Sequence, residues 1–335
     1  MRSIVLQTLG GPDQLAVVER PVPEPGAGQV LVRMRAASLN YRDTLILRGG
    51  YGSRQKTADL VPLSDGAGEV VRVGPGVSRV KAGDRVTASF FQSWIAGDPN
   101  EALLDDDLGR AHDGVLSDYR VFPECGLVAT PASLTDPEAA AFPCAGLTAW
   151  SAVVTVGRAK PGDIVLVQGT GGVSLFALQF AKLCGARVIA TSSSSEKLAR
   201  LRGMGADHVI NYREQPDWGK VALDLTNGRG VDHVVEVAGT YRQTLRAIRP
   251  GGLVTVIGVL AGARAEILLP LVGSRAIRLQ GVAVGPREGL EAMFRAVEAH
   301  RIKPVIDRVF DLDHAAEAYR HLAAGRHFGK VCIAL

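Results

Sequence analysis

Two rhythms of apolar and polar positions divide this chain. Up to about Pro131, apolar residues come in short runs between turn signals. Segment 29–35 (QVLVRMR) alternates with period two, segment 68–73 runs into the turn Gly74-Pro75-Gly76-Val77, and segment 80–86 turns at Ala82-Gly83-Asp84. Short strands punctuated by glycine and proline predict a partly closed β domain. Segment 92–114 is polar and holds the acidic run Asp105-Asp106-Asp107, which reads as a solvated loop.

Beyond Pro131 the rhythm changes. Segment 136–156 has helical character, and the apolar run 163–168 (DIVLVQ) follows Pro161-Gly162. Strand-like runs at 187–191, 208–211, 232–237, 253–258 and 277–284 then alternate with helical stretches that include 174–183 and 196–204, and a further helix is predicted at 288–300. Apolar β-branched runs separated by helices predict a parallel sheet covered on both faces. Segment 305–335 returns to mixed short elements and ends on strand-like 330–335. The expected class is α/β: a β-rich part, a doubly wound parallel sheet, and a C-terminal segment left over.

Composition narrows the function classes. A chain of 335 residues suits two domains, and its 39 glycines suggest many tight turns and close backbone approaches. Lys and Arg number 38 against 34 Asp and Glu, a scattered excess of +4 that suggests neither nucleic acid nor an anionic membrane as partner. Cys125, Cys144, Cys184 and Cys332 form no C-x-x-C pair, so no disulfide scaffold is indicated. Segment 139–157 carries no charge, but Pro143, Gly146 and Thr148 make it a buried helix rather than a membrane span. The N-terminal residues lack a signal-peptide apolar core, and a cytoplasmic protein is expected.

Chemistry enters at the turn after the first parallel strand. Gly169-Thr170-Gly171-Gly172-Val173-Ser174 lies between an apolar strand and an apolar helix, and fits G-x-G-x-x-G/A with Ser174 in the third position. Glycine there lets the backbone approach a pyrophosphate, which meets the free amides of the helix N-terminus. The second strand ends in Ser192-Ser193-Ser194-Ser195 without the acid that would hold an NAD ribose, and Lys197 follows. Hydroxyls and a lysine favour NADPH; the same serines also suit a helix N-cap.

Further motifs carry a family resemblance. Gly66-Ala67-Gly68-Glu69-Val70, Val73-Gly74-Pro75-Gly76-Val77, Lys81-Ala82-Gly83-Asp84-Arg85-Val86, Gly146-Leu147-Thr148-Ala149 and the Gly169–Ser174 turn resemble the medium-chain dehydrogenase/reductase superfamily over essentially the whole chain. The resemblance implies a GroES-like substrate domain from residues 1–123 with 289–335, a Rossmann domain from 124–288, and an active site in the cleft between them. The positions that supply catalytic zinc ligands in the superfamily's alcohol dehydrogenases are Asn40, Ser64 and Cys144 here, and segment 92–114 lacks the cysteines of their structural zinc lobe. One possible ligand of three does not make a zinc site, and His112 and Asp113 read as loop surface.

The zinc-free quinone oxidoreductase-like branch is the better match. Its N-terminal motif is similar to Asn40-x-x-Asp43, a tyrosine follows at Tyr51, and its NADPH-binding members carry a Lys and a Tyr spaced like Lys197 and Tyr212. The resemblance implies NADPH-dependent hydride transfer to a quinone or an α,β-unsaturated carbonyl. Asn40, Tyr41, Arg42 and Tyr51 are the candidate donors to the developing oxyanion, with Asp43 beside them. Asp43 also suits the cap of a helix beginning near Thr44, and Tyr41 also suits the core. Thr148, Gly258, Val259 and Leu260 would border the nicotinamide, and the apolar strand 277–284 would pair with its mate in a homodimer. An alcohol dehydrogenase-like enzyme and a non-catalytic NADPH-binding protein are the alternatives.

Overall fold

The computed structural model describes residues 1–335 except Ser53, Arg54, Val259, Ala261 and Ala263. Seven strands come first: β1 (Arg2–Leu6), β2 (Leu15–Glu19), β3 (Gln29–Leu39), β4 (Asp65–Val73), β5 (Arg85–Ala88), β6 (Tyr119–Pro123) and β7 (Leu127–Ala129). Six follow: β8 (Ile164–Gln168), β9 (Arg187–Ser192), β10 (His208–Asn211), β11 (Val231–Glu236), β12 (Ile248–Val256) and β13 (Arg278–Gly281). The chain ends with β14 (Ile306–Asp311) and β15 (Lys330–Ala334). It divides into two compact units, 1–147 with 284–335, and 148–283. Segment 124–147 belongs to the first unit, where β7 pairs with β5.

The first unit is a seven-stranded sheet in the order β14-β15-β3-β4-β5-β7, with β6 also on β3 and a β1–β2 pair beside it. β3 continues past the alternating 29–35 to Leu39 and is buried over most of its length. The C-terminal β15 lies antiparallel along it, with Val331 opposite Leu39 and Cys332 opposite Ser38. This pairing decides the chemistry of the unit, because it lays the last strand beside the end of β3.

Segment 92–114 departs from the solvated loop expected of it. Trp94 and Leu108 are buried, and Asp107 is only 2% exposed. Its carboxylate accepts from Arg110 Nε at 2.8 and 3.0 Å and from Arg42 Nη2. The acidic run is thus partly internal, its charge met by two arginines. Gly109 and Gly114 lie against the backbone of Leu63, where any side chain would collide.

The second unit is a six-stranded parallel sheet in the order β10-β9-β8-β11-β12-β13. β8 and β11 are buried at every residue, as strands covered on both faces must be. The apolar edge expected at 277–284 is shorter and more polar, since Arg278, Gln280 and Gly281 of β13 are exposed. Segment 136–156 is helical in pieces, with wide π-type turns at 142–146 and 151–156. Among the described residues no helix is long and apolar enough to cross a membrane.

Candidate active site

In the first unit, the end of β3 and the start of the next helix carry the reactive groups. Asn40 has extended backbone and forms the N-cap of the helix Tyr41–Ile46. Asp43, in the first turn, accepts from the Asn40 backbone N–H at 2.7 Å. The helix therefore begins three residues earlier than a cap at Asp43 would require. Asp43 belongs to its first turn, and its carboxylate closes that turn.

Lys330 opens β15, one residue beyond the paired Val331 and Leu39, and its side chain meets Asn40. Its Nζ donates to Leu39 O at 2.6 Å and to Asn40 Oδ1 at 2.5 Å. An ammonium has no acceptor, so it meets the oxygen of the amide and leaves the nitrogen on the other side. Asn40 Nδ2 is shielded from water and has no hydrogen-bond partner among the described residues.

Arg42 is the second organiser. Its guanidinium lies 4.8 Å from the ring centre of Tyr51 and 4.6 Å from that of Phe90. It donates to Leu108 O at 3.1 Å and pairs with Asp107, so the helix Tyr41–Ile46 is tied to segment 92–114. Burial holds the Tyr51 phenol above its ordinary pKa, with the Arg42 charge opposing. The phenol is therefore protonated and able to donate at neutral pH.

Buried charges are balanced around this site. Arg42, Arg110 and Lys330 stand against Asp43, Asp65 and Asp107, all buried. Asp43 is raised to about 6, chiefly by burial and further by Asp65, against Arg42, the Asn40 N–H and Lys330. Asp65 accepts from Ser64 Oγ at 2.6 Å and from the Cys144 N–H at 3.0 Å. Burial and the Asp65 charge push the Cys144 thiol well up, away from thiolate. Leu63, just before Ser64, has a left-handed backbone (φ 69), a conformation held by its packed surroundings.

In the second unit, the glycine turn stands where the strand order reverses, since β8 lies between β9 and β11. Gly169 has φ 77, which favours glycine, and its N–H donates to Thr191 O at the end of β9. A Cβ on Gly171 would meet nothing within 4 Å. The glycine there leaves open space at the N-cap of the helix Gly172–Leu183, as a pyrophosphate needs. Ser174 in the third glycine position is buried and donates to Gln168 O at 2.6 Å, tying helix to strand.

The far wall of that strand end is built by a buried acid. Glu236, at the end of β11, accepts from the N–H groups of Ala238, Gly239 and Thr240 at 3.1, 2.8 and 3.3 Å. Gln168 Nε2 donates to it at 2.9 Å, and Gln168 Oε1 accepts from Val237 and Ala238. The loop 237–240 is therefore fixed by two side chains that end neighbouring strands.

With this geometry in view, the comparisons are direct. Residues 26–132 match the family model described as alcohol dehydrogenase GroES-like domain, and residues 172–299 match that of zinc-binding dehydrogenase. A zinc-type alcohol dehydrogenase-like protein of Schizosaccharomyces pombe is 40% identical, over 99% of each chain. The chain belongs to the medium-chain dehydrogenase/reductase superfamily.

Among solved structures of this superfamily, a Sinorhizobium meliloti 1021 protein assigned provisionally as an alcohol dehydrogenase is 44% identical with a TM-score of 0.92, covering 100% of this chain and 99% of its own. A quinone oxidoreductase from Pseudomonas syringae pv. tomato DC3000 is 29% identical with a TM-score of 0.85, over 100% and 99%. The fold is the GroES-like domain plus the Rossmann domain, and the protein is an oxidoreductase of a family that binds a nicotinamide dinucleotide.

A nicotinamide dinucleotide fits the second unit: the Gly169–Gly172 backbone leaves room for a pyrophosphate. Zinc does not fit the first. Zinc takes thiolate, imidazole or carboxylate. Here Asn40 Oδ1 is held by an ammonium and Ser64 Oγ donates to Asp65, which leaves Cys144 as the one zinc-type donor of the three positions. Among the described residues, no group of three or more His, Cys, Asp or Glu could hold a metal ion.

The dehydrogenase fold brings Asn40, Arg42, Asp43 and Tyr51 into one neighbourhood but leaves Tyr41 46% exposed. Gly169, Thr170 and Gly171 form the turn, and Gly172 and Val173 open the helix Gly172–Leu183. Ser192 and Tyr212 adjoin through Tyr212 N–H to Ser192 O at 3.1 Å, with Ser193 next in chain and Lys197 in the first turn of the helix Ser195–Gly203. Thr148 is buried, and Gly258 lies against the Val237 carbonyl, where a side chain would clash. Val259 lies outside the described residues. His112 pairs with Asp106, and Asp113 with Lys56. Lys330, Asp65, Asp107, Arg110, Gln168 and Glu236 were not read from the sequence. A lysine opening an apolar strand and an acid closing one were the only local signs.

Proposed function

We propose that this protein is a cytoplasmic, NADPH-dependent, metal-independent reductase of quinones or α,β-unsaturated carbonyls. The observation that carries the reading is the buried, unpartnered Asn40 Nδ2. An unpaired buried donor costs about 1–3 kcal/mol, which an acceptor oxygen on the substrate would recover. When bound, reduced nicotinamide supplies the hydride. As negative charge grows on the substrate oxygen, the Asn40 hydrogen bond strengthens, and so it favours the transition state over the ground state. The protonated Tyr51 is the second donor for that oxygen. Arg42 holds the Tyr51 ring, and Asp43 holds the Asn40 backbone.

The preference for NADPH rests on Ser192, Ser193, Lys197 and Tyr212 around the end of β9, which has no acid in the ribose position. Glu196, the next acid along the chain, is exposed. One lysine on a 2′-phosphate is worth about 1.5–3 kcal/mol, roughly tenfold to a hundredfold in affinity. A homodimer through the edge of β13 is part of the same reading, since among the described residues that strand pairs with β12 alone.

The second reading is alcohol oxidation, favoured by the alcohol dehydrogenase names of the relatives. One screen separates the two. Quinones, enones and alcohols are assayed with NADPH, NADH and their oxidised forms, with and without chelator, on protein of measured metal content and mass. Chelator-resistant enone or quinone reduction that prefers NADPH, with the preference lost in Lys197→Ala, is expected. Stoichiometric zinc and chelator-sensitive alcohol oxidation would refute the proposal.

A further inference from the structure

The amide of Asn40 has two ends of opposite hydrogen-bonding character, and the chain itself decides which end is free. An asparagine held only by its own helix could turn its oxygen or its nitrogen toward a ligand at little cost. Asn40 has no such freedom, because Lys330 Nζ lies 2.5 Å from its oxygen. Turning the amide would set its NH₂ against the NH₃⁺ and lose the bond. Lys330 is itself anchored, with a second bond to Leu39 O at 2.6 Å and only 3% exposure. The contact joins residues at opposite ends of the chain, and the β3–β15 ladder fixes the backbone from which both side chains project.

We propose that Lys330 is a positioning residue that locks the Asn40 amide with Nδ2 as its free end, so that the site accepts an oxygen carrying lone pairs, as in a carbonyl or quinone. This rests on the reading that Asn40 holds the substrate oxygen. Lys330 meets no substrate; it acts through the amide. With the lock removed, the amide samples both orientations, and part of the population points an oxygen at the substrate oxygen. The same lock explains why Asn40 is not a metal ligand: its one donor atom for a cation already faces a cation.

The test is a double-mutant cycle on the full chain with NADPH and a quinone or enone that it reduces. Lys330→Met removes all donors at similar length, Lys330→Gln keeps one neutral donor, and Asn40→Ala removes the amide. Lys330→Met is expected to lower kcat roughly tenfold to a hundredfold with the KM for NADPH unchanged, and Lys330→Gln to recover part of it. In the Asn40→Ala background, either Lys330 substitution should change kcat less than twofold. Urea unfolding of the same four proteins should show coupling between the two positions, independent of turnover. If Lys330→Met does not fold, the Lys330→Gln cycle serves in its place.

Two failures are distinguishable. Full activity in Asn40→Ala sinks the reading that Asn40 holds the substrate. Loss of activity in Asn40→Ala, with Lys330→Met costing the same factor in both backgrounds, leaves that reading standing and overturns the role of Lys330. Strictly additive unfolding free energies would overturn it as well.

Discussion

The two functional regions are built in opposite ways. In the second unit the nucleotide turn is local: Gly169 to Ser174 are consecutive, and strand, turn and helix follow one another. In the first unit the polar cluster is assembled from β3, the helix after it, segment 92–114, the helical segment around Cys144 and the first residue of β15. A local site needs only backbone freedom and a helix end. A dispersed one needs every pairing of its sheet in register, and it balances three buried cations against three buried carboxylates.

That difference can be broken most forcefully at Asp107, where Arg42 and Arg110 converge. Asp107→Ala leaves two buried arginines without their acid and should cost about 3–5 kcal/mol in urea unfolding of the whole chain. A loss under 1 kcal/mol would show that segment 92–114 is not held by its charges.

The same contrast separates what was legible in the sequence from what was not. The parallel sheet and the Gly169 turn could be read because period, strand length and turn chemistry are properties of neighbours in the chain. Segment 92–114 was misread because an acidic run looks solvated until Arg42 and Arg110 are seen to face it. Lys330 was silent because its partner lies 290 residues away, and only the β3–β15 register reveals it. Asp43 was correctly tied to the helix start but misplaced: Asn40 is the cap, and Asp43 closes the turn from inside. His233 and Glu236 sit in a strand that reads as apolar, and their burial follows from sheet position rather than residue type.

Two buried titratable groups, one per unit, sharpen the comparison with opposite signs. In the first unit Asp43 is raised to about 6. Its contribution to stability is full below its unfolded value of 3.8 and is lost as pH rises through 6. In the second unit His233 is lowered to about 4 by burial and by Arg278. Its contribution is full above 6.5 and is lost as pH falls through 4. Each is worth about 3 kcal/mol at most. Unfolding free energies measured from pH 4 to 7 should show the fall toward acid weakened in His233→Gln and the fall toward neutral weakened in Asp43→Asn. The reverse assignment would contradict both.

A smaller effect tests the open turn. Because a Cβ on Gly171 meets nothing, Gly171→Ala should leave the free protein folded, at a cost of about 1 kcal/mol at most from the helix N-cap, while weakening NADPH at least tenfold in a fluorescence titration. Unchanged affinity would mean that the pyrophosphate does not lie there.

The central claim is that Asn40 works as a hydrogen-bond donor whose other end is held by Lys330. Asn40→Asp tests it most directly, since the carboxylate keeps the cap and the contact with Lys330 and replaces only the NH₂. Single-turnover hydride transfer followed by NADPH absorbance should fall at least roughly a hundredfold, with dinucleotide affinity and melting temperature held near wild type. A rate within about twofold of wild type, in a protein equally stable and equally loaded, would contradict the account.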